Sequence, residues 1–384
     1  MRNTVGLFFV IGEFIVMDKS LEINLKELEG IMYKEKVIDV KEYDNLKVTF
    51  ETLNDAPKSE IPTPFTIEQM LYKLETKNLY FPEIKSKEKC VELLHSVGYY
   101  NLKHFMYNEF GKDEPKNFDE VYILYKFDRY LLKQLFSLVN MLETHIRNII
   151  LEVYMLEIEY NNKPSTLFYL DKDLYFEKVN DEYKYSAKKL KEFNRLQNVF
   201  WRAIEKKKSN DNVKHNIKKY NIIPAWVLFQ NFSFGDLSTF YRTTLPTYRN
   251  KVSKRIENLI EKNTGISIKL PEKLLCAWLN SIRFLRNRIA HTDIIYGINF
   301  TNTCAKHHSD EEMYVNIEKY KYQQRLVTFL LAMKKIFMSM PENNIIEWNE
   351  TLTKIENKCS EHNFIKLSRL GVIENNLSYF KITK

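Results

Sequence analysis

The sequence is short of glycine, proline and cysteine for its length. It has 9 Gly, 10 Pro and 4 Cys among 384 residues, whereas about 27 Gly would be expected at a typical share of roughly 7%. Because glycine supplies the positive-φ positions of tight turns and hairpins, a chain this poor in it has few of them. The shortage argues against a β-propeller, a β-sandwich or a βαβ enzyme with Gly-rich phosphate loops, and it favours long helices.

The cysteines are too few for a disulfide scaffold, and no two of them form a CxxC pair. They are Cys90, Cys276, Cys304 and Cys359. A reducing cytoplasm is therefore the expected location. The segment Cys304-Ala-Lys-His307-His308 brings three metal-ligand side chains close together, but no second ligand pair stands at zinc spacing. We therefore expect neither a metal nor another cofactor.

The sequence also has no apolar run that is long enough to span a bilayer, which takes about 20 residues. Residues 5–17 are apolar apart from two glycines and Glu13, and they are followed by Asp18-Lys-Ser rather than by a small-residue cleavage site. We interpret this run as a strand or helix packed on the body, or as residues that precede a true start at Met17. No membrane association is expected.

Helical patterns begin where a proline-rich linker ends, near residue 63. Thr66-Ile-Glu-Gln69 has the form of a capping box, and segment 86–97 predicts a second helix that stops at Gly98. Segment 118–157 has no Gly or Pro, and its apolar residues form one seam at helical spacing. They are Val121, Leu124, Leu132, Leu135, Val139, Leu142, Ile146, Ile149 and Val153. This segment is therefore predicted to be one long core helix.

Further helices are predicted along the rest of the chain. They are a short helix after Pro224, one capped by Ser233-Phe-Gly-Asp236, and helices near 247–263, 271–290, 311–339 and 342–361. The sequence thus predicts an all-α protein with three regions. These are an N-terminal extension of uncertain structure (1–62), a helical domain (63–300) and a C-terminal helical region packed on it (301–384).

The positive charge of the chain is concentrated in residues 184–219. The formal net charge is +8. This segment has twelve lysines and arginines against three acidic residues, a net +9, so the rest of the chain sums to −1. Such a cluster suits a polyanion, and we expect RNA to contact it. The expected RNA-binding residues are Lys188, Lys189, Lys191, Arg195, Arg202, Lys206, Lys207, Lys208, Lys218 and Lys219, together with Arg288.

Aromatic residues are interleaved with these charges, and two interpretations of them stay open. Phe193, Phe200, Trp201 and Tyr220 could stack on RNA bases. Alternatively, the segment is a solvated helix whose aromatic side chains face the core.

A polar cluster, Arg286-Asn-Arg-Ile-Ala-His291, closes the predicted 271–290 helix. These side chains suit metal-independent RNA cleavage, in which a 2′-OH attacks the adjacent phosphate. His291 would give or take a proton, Arg286 would stabilise the phosphorane, and Asn287 would orient His291 or the phosphate. On an ideal helix Arg286 and His291 point about 140° apart. One chain therefore cannot easily aim both at one small target unless the helix ends or distorts at His291. The alternative is a capped helix end with a surface histidine.

Several spaced blocks of this sequence are similar to those of the abortive infection (Abi) family of bacterial phage-defence proteins, in its AbiD/AbiF-like branch. The blocks are Pro64-Phe-Thr-Ile-Glu-Gln69, Val97-Gly-Tyr-Tyr-Asn-Leu102, Leu124-Tyr-Lys-Phe-Asp-Arg129, Glu143-Thr-His-Ile-Arg147, Pro224-Ala-Trp226, Phe232-Ser-Phe-Gly-Asp-Leu-Ser238 and Phe284-Leu-Arg-Asn-Arg-Ile-Ala-His291. They cover roughly residues 64–300 in the family's order, whereas the 1–62 extension has no counterpart that we can match.

The family is similar to HEPN domains, helical bundles in which an Arg-x4–6-His motif marks ribonucleases. The resemblance implies a HEPN-like bundle with catalytic Arg286, Asn287 and His291. Because HEPN ribonucleases pair two motifs in one cleft, it also implies a homodimer. Some members are associated with a small structured RNA, which would act here as an inhibitor. Glu143 and Arg147 are four residues apart and are expected to be structural supports.

These observations predict a cytoplasmic toxin of phage defence that acts as a metal-independent endoribonuclease. The alternative is a non-catalytic RNA-binding protein of an abortive infection or toxin–antitoxin system, in which the same basic segment would bind RNA. A third class, a scaffold that contacts only proteins, predicts that neutralising the lysines of 184–219 leaves RNA affinity unchanged.

Overall fold

The computed structural model describes residues 64–110, 114–157, 159–160, 163–180, 182–184, 186–206, 210–373 and 376–383. The predicted extension, including Met17, lies outside the described residues, as do Lys207 and Lys208. Within them there are thirteen α-helices: α1 (Ile67–Glu75), α2 (Ile84–Ser96), α3 (Tyr99–Glu109), α4 (Phe118–Glu157), α5 (Ala187–Lys206), α6 (Asp211–Tyr220), α7 (Ala225–Phe229), α8 (Phe234–Thr243), α9 (Pro246–Thr264), α10 (Glu272–Ala290), α11 (Glu311–Lys319), α12 (Val327–Phe337) and α13 (Glu342–Ser360).

Strands are few and short. β1 (Leu79–Tyr80) pairs in parallel with β2 (Lys116–Asn117), and two antiparallel pairs join β3 (Glu159–Tyr160) to β4 (Lys163–Pro164) and β5 (Lys178–Val179) to β6 (Glu182–Tyr183). Single 3₁₀ turns occupy Phe168–Leu170, Lys172–Leu174, His308–Asp310, Leu367–Leu370 and Ser378–Phe380. Helices make up 69% of the structure and strands 3%, which confirms the all-α prediction.

The long helix α4 is the centre of the main helical unit, which contains residues 67–206 and 224–383 as far as they are described. Its 40 residues extend over about 60 Å. The predicted apolar seam is buried along its whole length, and α2, α3, α9, α10, α12 and α13 all pack against it. No helix in the described part of the chain has both the length and the apolarity needed to cross a membrane.

The helix prediction was wrong in two places. Segment 311–339 forms two helices, because α11 ends before Lys321, whose φ of 58° turns the chain. Helix α3 was missed, although Leu102, Phe105 and Met106 are buried at helical spacing. The capping box at Ser233 and Asp236 is present as predicted and starts α8.

Helix α6 is grouped apart from the main helical unit, with its flanking residues 210–223. The side chain of Asn210 accepts a hydrogen bond from the amide of Asn212, and Asn221 ends the helix in the left-handed conformation, with φ 52°. Its lysines, including Lys218 and Lys219, are exposed.

Candidate functional site

Helix α10 presents the predicted catalytic cluster at its C-terminal end. Pro271 is the N-cap, and the helix buries one apolar face against α4, α8 and α9. The buried side chains are Leu275, Trp278, Leu279, Ile282, Leu285 and Ile289. The opposite face is open, and Asn287 and His291 lie four residues apart on it, both exposed. The cluster is therefore accessible to a ligand from one side of the helix.

Arg286 points away from this open face. His291 is the C-cap with φ −85° and ψ 4°, and its amide donates to the carbonyl of Asn287 at 2.9 Å. Because this φ is close to the helical value, the angle of about 140° between Arg286 and His291 is kept. Within one chain, Asn287 and His291 share a face while Arg286 faces a neighbouring helix.

Glu143 of α4 links two arginines beneath the motif. Its carboxylate, in a residue that is only 8% exposed, lies 2.7 Å from Nη2 of Arg147 and 3.6 Å from Nε of Arg286. Arg147 also donates to the carbonyl of Phe232 at 3.3 Å. Glu143 therefore forms a hydrogen-bonded ion pair with Arg147 at i, i+4 and a longer ion pair, beyond hydrogen-bond distance, with Arg286.

The loop that follows His291 is held by Asp128 and Arg129 of α4. Oδ1 of the fully buried Asp128 accepts hydrogen bonds from the amides of Ile295 and Tyr296, at 2.9 and 2.8 Å. Oδ2 pairs with the guanidinium of Arg129, which also donates to the carbonyl of Thr292. These contacts fix the backbone on the C-terminal side of His291. The pair lies within one of the sequence blocks that resemble the Abi family, but the sequence pattern predicts no role for it.

A groove of about 340 Å³ lies between the end of α10 and α4. The exposed Lys133 and Phe136 of α4 line it beside Arg129, and Ala290 and Thr292 line it from the motif. Cationic and apolar side chains thus border the motif.

The basic segment is divided by the structure. On α5, Lys188, Lys191, Arg195 and Arg202 are exposed. The ammonium of Lys189 instead donates to the carbonyl of Thr243 at 2.9 Å, and burial lowers the pKa of this side chain. Lys206 is the last residue of α5.

The aromatic residues of this segment are divided too. The ring of Phe193 lies 4.9 Å from that of Phe176, and the ring of Phe200 lies 5.9 Å from that of Phe232, so both pack against buried aromatic rings. Tyr220 is about half exposed, and Trp201 lines a cavity. The core-facing interpretation therefore describes Phe193 and Phe200, whereas base stacking by Trp201 and Tyr220 stays a prediction.

Trp201 lines an arginine pocket, a cavity of about 620 Å³ between α5, α8 and α10. Its cationic side chains are Arg195, Arg202, Arg242 and Arg283. Sequence reasoning missed Arg242 and Arg283, which lie far from residues 184–219 along the chain. Arg283 precedes Asn287 by one helical turn, and this spacing was the available signal.

Arg288 makes contacts within the chain. Its guanidinium donates to the carbonyl of Ile294 at 3.1 Å and lies 5.9 Å from the ring of Phe300. These contacts tie it to the loop after the motif.

His307, one of the three possible metal ligands in the sequence, has other partners. The ring of His307 is hydrogen-bonded through Nε2 to the carbonyl of Lys269 and through Nδ1 to Ser309, each at 2.8 Å. Burial lowers the pKa of His307 and raises that of the Cys304 thiol. Among the described residues no group of three or more metal-ligand side chains converges.

Comparison with known proteins gives one match. A family model described as Abi-like protein matches residues 92–297, more than half of the chain. This stretch includes the Asp128–Arg129 pair, the Glu143 network, the arginine pocket and the whole of α10. No curated protein and no solved structure matches the chain.

Proposed function

The chain belongs to the family of Abi-like proteins, and we propose that it is a metal-independent endoribonuclease of the HEPN type. Family membership implies a role in abortive infection, a form of phage defence. The proposed reaction adds a chemical basis for that role, namely cleavage of RNA after infection. A small structured RNA is proposed to hold the protein inactive until then.

The observation that carries this proposal is the arrangement at the end of α10. Asn287 and His291 are exposed on one face, and the buried Glu143 forms an ion pair with Arg286 on another. Histidine can exchange protons near neutral pH, and arginine binds phosphate oxygens through a planar fork. An exposed helix end with these side chains, supported by a buried ion network, suits phosphodiester chemistry.

In the proposed reaction, a neutral His291 removes the proton from the 2′-OH. The oxygen attacks the adjacent phosphorus, and the bond to the 5′-oxygen breaks as a 2′,3′-cyclic phosphate forms. The protonated His291 then gives this proton to the leaving 5′-oxygen, which restores the neutral histidine. Arg286 stabilises the extra negative charge of the phosphorane, and Asn287 donates to a phosphate oxygen.

A homodimer completes this site. Because Arg286 and His291 diverge within one chain, we propose that Arg286 of one protomer and His291 of its partner act on the same phosphate. Two protomers related by a twofold axis would then form two such pairs in one cleft.

The test is RNA cleavage by the purified full chain in the presence of a chelator. Arg286→Ala and His291→Ala should each lower the rate by about 100-fold or more. The exposed His95 of α2 and the exposed Lys262 of α9, each replaced by alanine, are matched controls and should leave it unchanged. Parental rates from both motif variants would refute the assignment.

Mixing the two inactive variants tests the shared site. A mixed dimer keeps one pair with both Arg286 and His291, so equal amounts should recover about a quarter of the parental activity. A site formed within one chain would give no recovery, and that result would refute the shared arrangement.

The alternative, an RNA-binding protein without nuclease activity, is favoured by one observation. The arginine pocket has several cationic side chains that could bind a phosphorylated ligand without any reaction taking place there. Salt-dependent RNA binding without cleavage under any condition would support this alternative.

A further inference from the structure

The arginine pocket gathers positive charge from three helices that are distant in sequence. Arg195 and Arg202 come from α5, Arg242 from α8 and Arg283 from α10. The volume of about 620 Å³ lies within the usual range for small-ligand sites, roughly 300–1,000 Å³. The cavity is thus large enough for a nucleotide.

Little negative charge opposes these arginines. Asp236 is the carboxylate that lines the pocket, and it lies 3.5 Å from the guanidinium of Arg202. Its other oxygen accepts hydrogen bonds from the amide and hydroxyl of Ser233 in the capping box. In the described part of the chain no carboxylate lies within 4 Å of the other three guanidinium groups. The pocket therefore has an excess of positive charge.

Arg283 is placed in this pocket by close packing. Its Cδ would lie 3.4 Å from a Cβ at Gly235, an ordinary van der Waals distance, so the side chain packs directly over the start of α8. Its Nη2 donates to the side chain of Asn280 at 3.0 Å. Burial and the charge of Arg242 lower the pKa of Arg283. A phosphate dianion between the two arginines would offset the repulsion between their positive charges.

Trp201 adds a flat apolar surface. The neighbouring Phe200 packs against the buried ring of Phe232, whereas Trp201 lines the cavity. Stacking of a base on an aromatic side chain is tolerant of sequence. An aromatic ring beside several guanidinium groups fits a ligand that has both a base and a phosphate.

We propose that the arginine pocket binds a nucleotide, with its phosphate between Arg242 and Arg283 and its base on Trp201. The nucleotide is either the phosphorylated end of an RNA or a free mononucleotide. This binding goes beyond the proposed cleavage because it requires no reaction at His291. Arg283 precedes His291 by eight residues, about 12 Å along the helix axis, so an RNA end held here would extend towards the motif.

The experiment measures binding to the full chain by calorimetry. The probes are AMP, adenosine, inorganic phosphate and a short 2′-O-methyl RNA that either has or lacks a 5′-phosphate. AMP or the phosphorylated RNA should bind at least 10-fold more tightly than its counterpart without phosphate. Arg242→Gln and Arg283→Gln should each weaken that binding by about 10-fold or more, and Trp201→Leu by about 5-fold or more.

The matched control is Lys262→Gln, which removes the same charge from an exposed position on α9 and should leave affinity unchanged. Binding of AMP that the pocket variants weaken identifies a free nucleotide as the ligand. Such binding by the phosphorylated RNA alone identifies an RNA end. Equal affinities of the pocket variants and the control, or equal binding with and without phosphate, would refute the proposal. Cleavage is measured separately, so a nuclease that lacks this binding would still lose activity in His291→Ala.

Discussion

Asp128 is the residue whose replacement best tests how the end of α10 is held. Its buried carboxylate accepts hydrogen bonds from two backbone amides, those of Ile295 and Tyr296, and pairs with Arg129. The contacts join α4 to a loop more than 160 residues away along the chain. We predict that Asp128→Ala and Asp128→Asn destabilise the protein to different extents.

The difference follows from what each replacement leaves unpaired. Alanine leaves two buried amides without an acceptor, at about 1–3 kcal/mol each, so the expected loss of unfolding free energy is about 4 kcal/mol. Asparagine keeps an oxygen near both amides but loses the charge. Because charge-assisted hydrogen bonds are about twice as strong as neutral ones, the expected loss is about 2 kcal/mol.

Urea unfolding of the full chain measures both values. Asp293→Ala is a matched control, because Asp293 is an exposed aspartate in the same loop, and it should change the free energy of unfolding by less than about 0.5 kcal/mol. If Asp128→Ala loses no more than this control, Asp128 does not hold the loop. If asparagine is as damaging as alanine, the charge rather than the acceptor geometry accounts for the effect.

Two further predictions concern stability. Burial lowers the pKa of His145, which shares a hydrogen bond with Ser339, to about 4. The unfolded chain therefore binds more protons than the folded chain between about pH 6.5 and 4, and stability falls as the pH drops through that window. In His145→Gln, the difference between the unfolding free energies at pH 7 and at pH 4 should be about 3 kcal/mol smaller than in the parent. An equal difference in the two proteins would contradict the assignment. Gly371 has φ +86°, and a Cβ there would lie 2.8 Å from Val327 Cγ1. Gly371→Ala should lower the free energy of unfolding in urea by about 3 kcal/mol. Gly265→Ala should lower it by about 1 kcal/mol, because φ there is +70° but nothing lies within 4 Å. Equal losses would exclude the steric contribution at Gly371.

Much of the helical fold could be predicted because its determinants are local. The seam of α4 repeats at helical spacing over 40 residues, and the capping box at Ser233 specifies a helix start by its own hydrogen bonds. The break before α12 could not be predicted in this way. It depends on a left-handed Lys321, a conformation for which lysine has no intrinsic preference.

The motif could be predicted in the same local manner, but its supports could not. Arg286, Asn287 and His291 are within six residues, and the pairing of Glu143 with Arg147 follows from their spacing. The contact of Glu143 with Arg286 and that of Asp128 with Tyr296 span more than 140 residues. Such contacts arise from the packing of α10 on α4, which periodicity alone does not specify.

Charge shows most clearly why a count along the chain is an incomplete guide to a binding surface. Residues 184–219 look like one basic segment, yet Lys189 is hydrogen-bonded to a backbone carbonyl, and α6 is grouped apart from α5. The arginine pocket instead adds Arg242 and Arg283 from other helices. Since a phosphate responds to charges within a few ångströms, these two arginines should affect nucleotide affinity more than any single exposed lysine of α6.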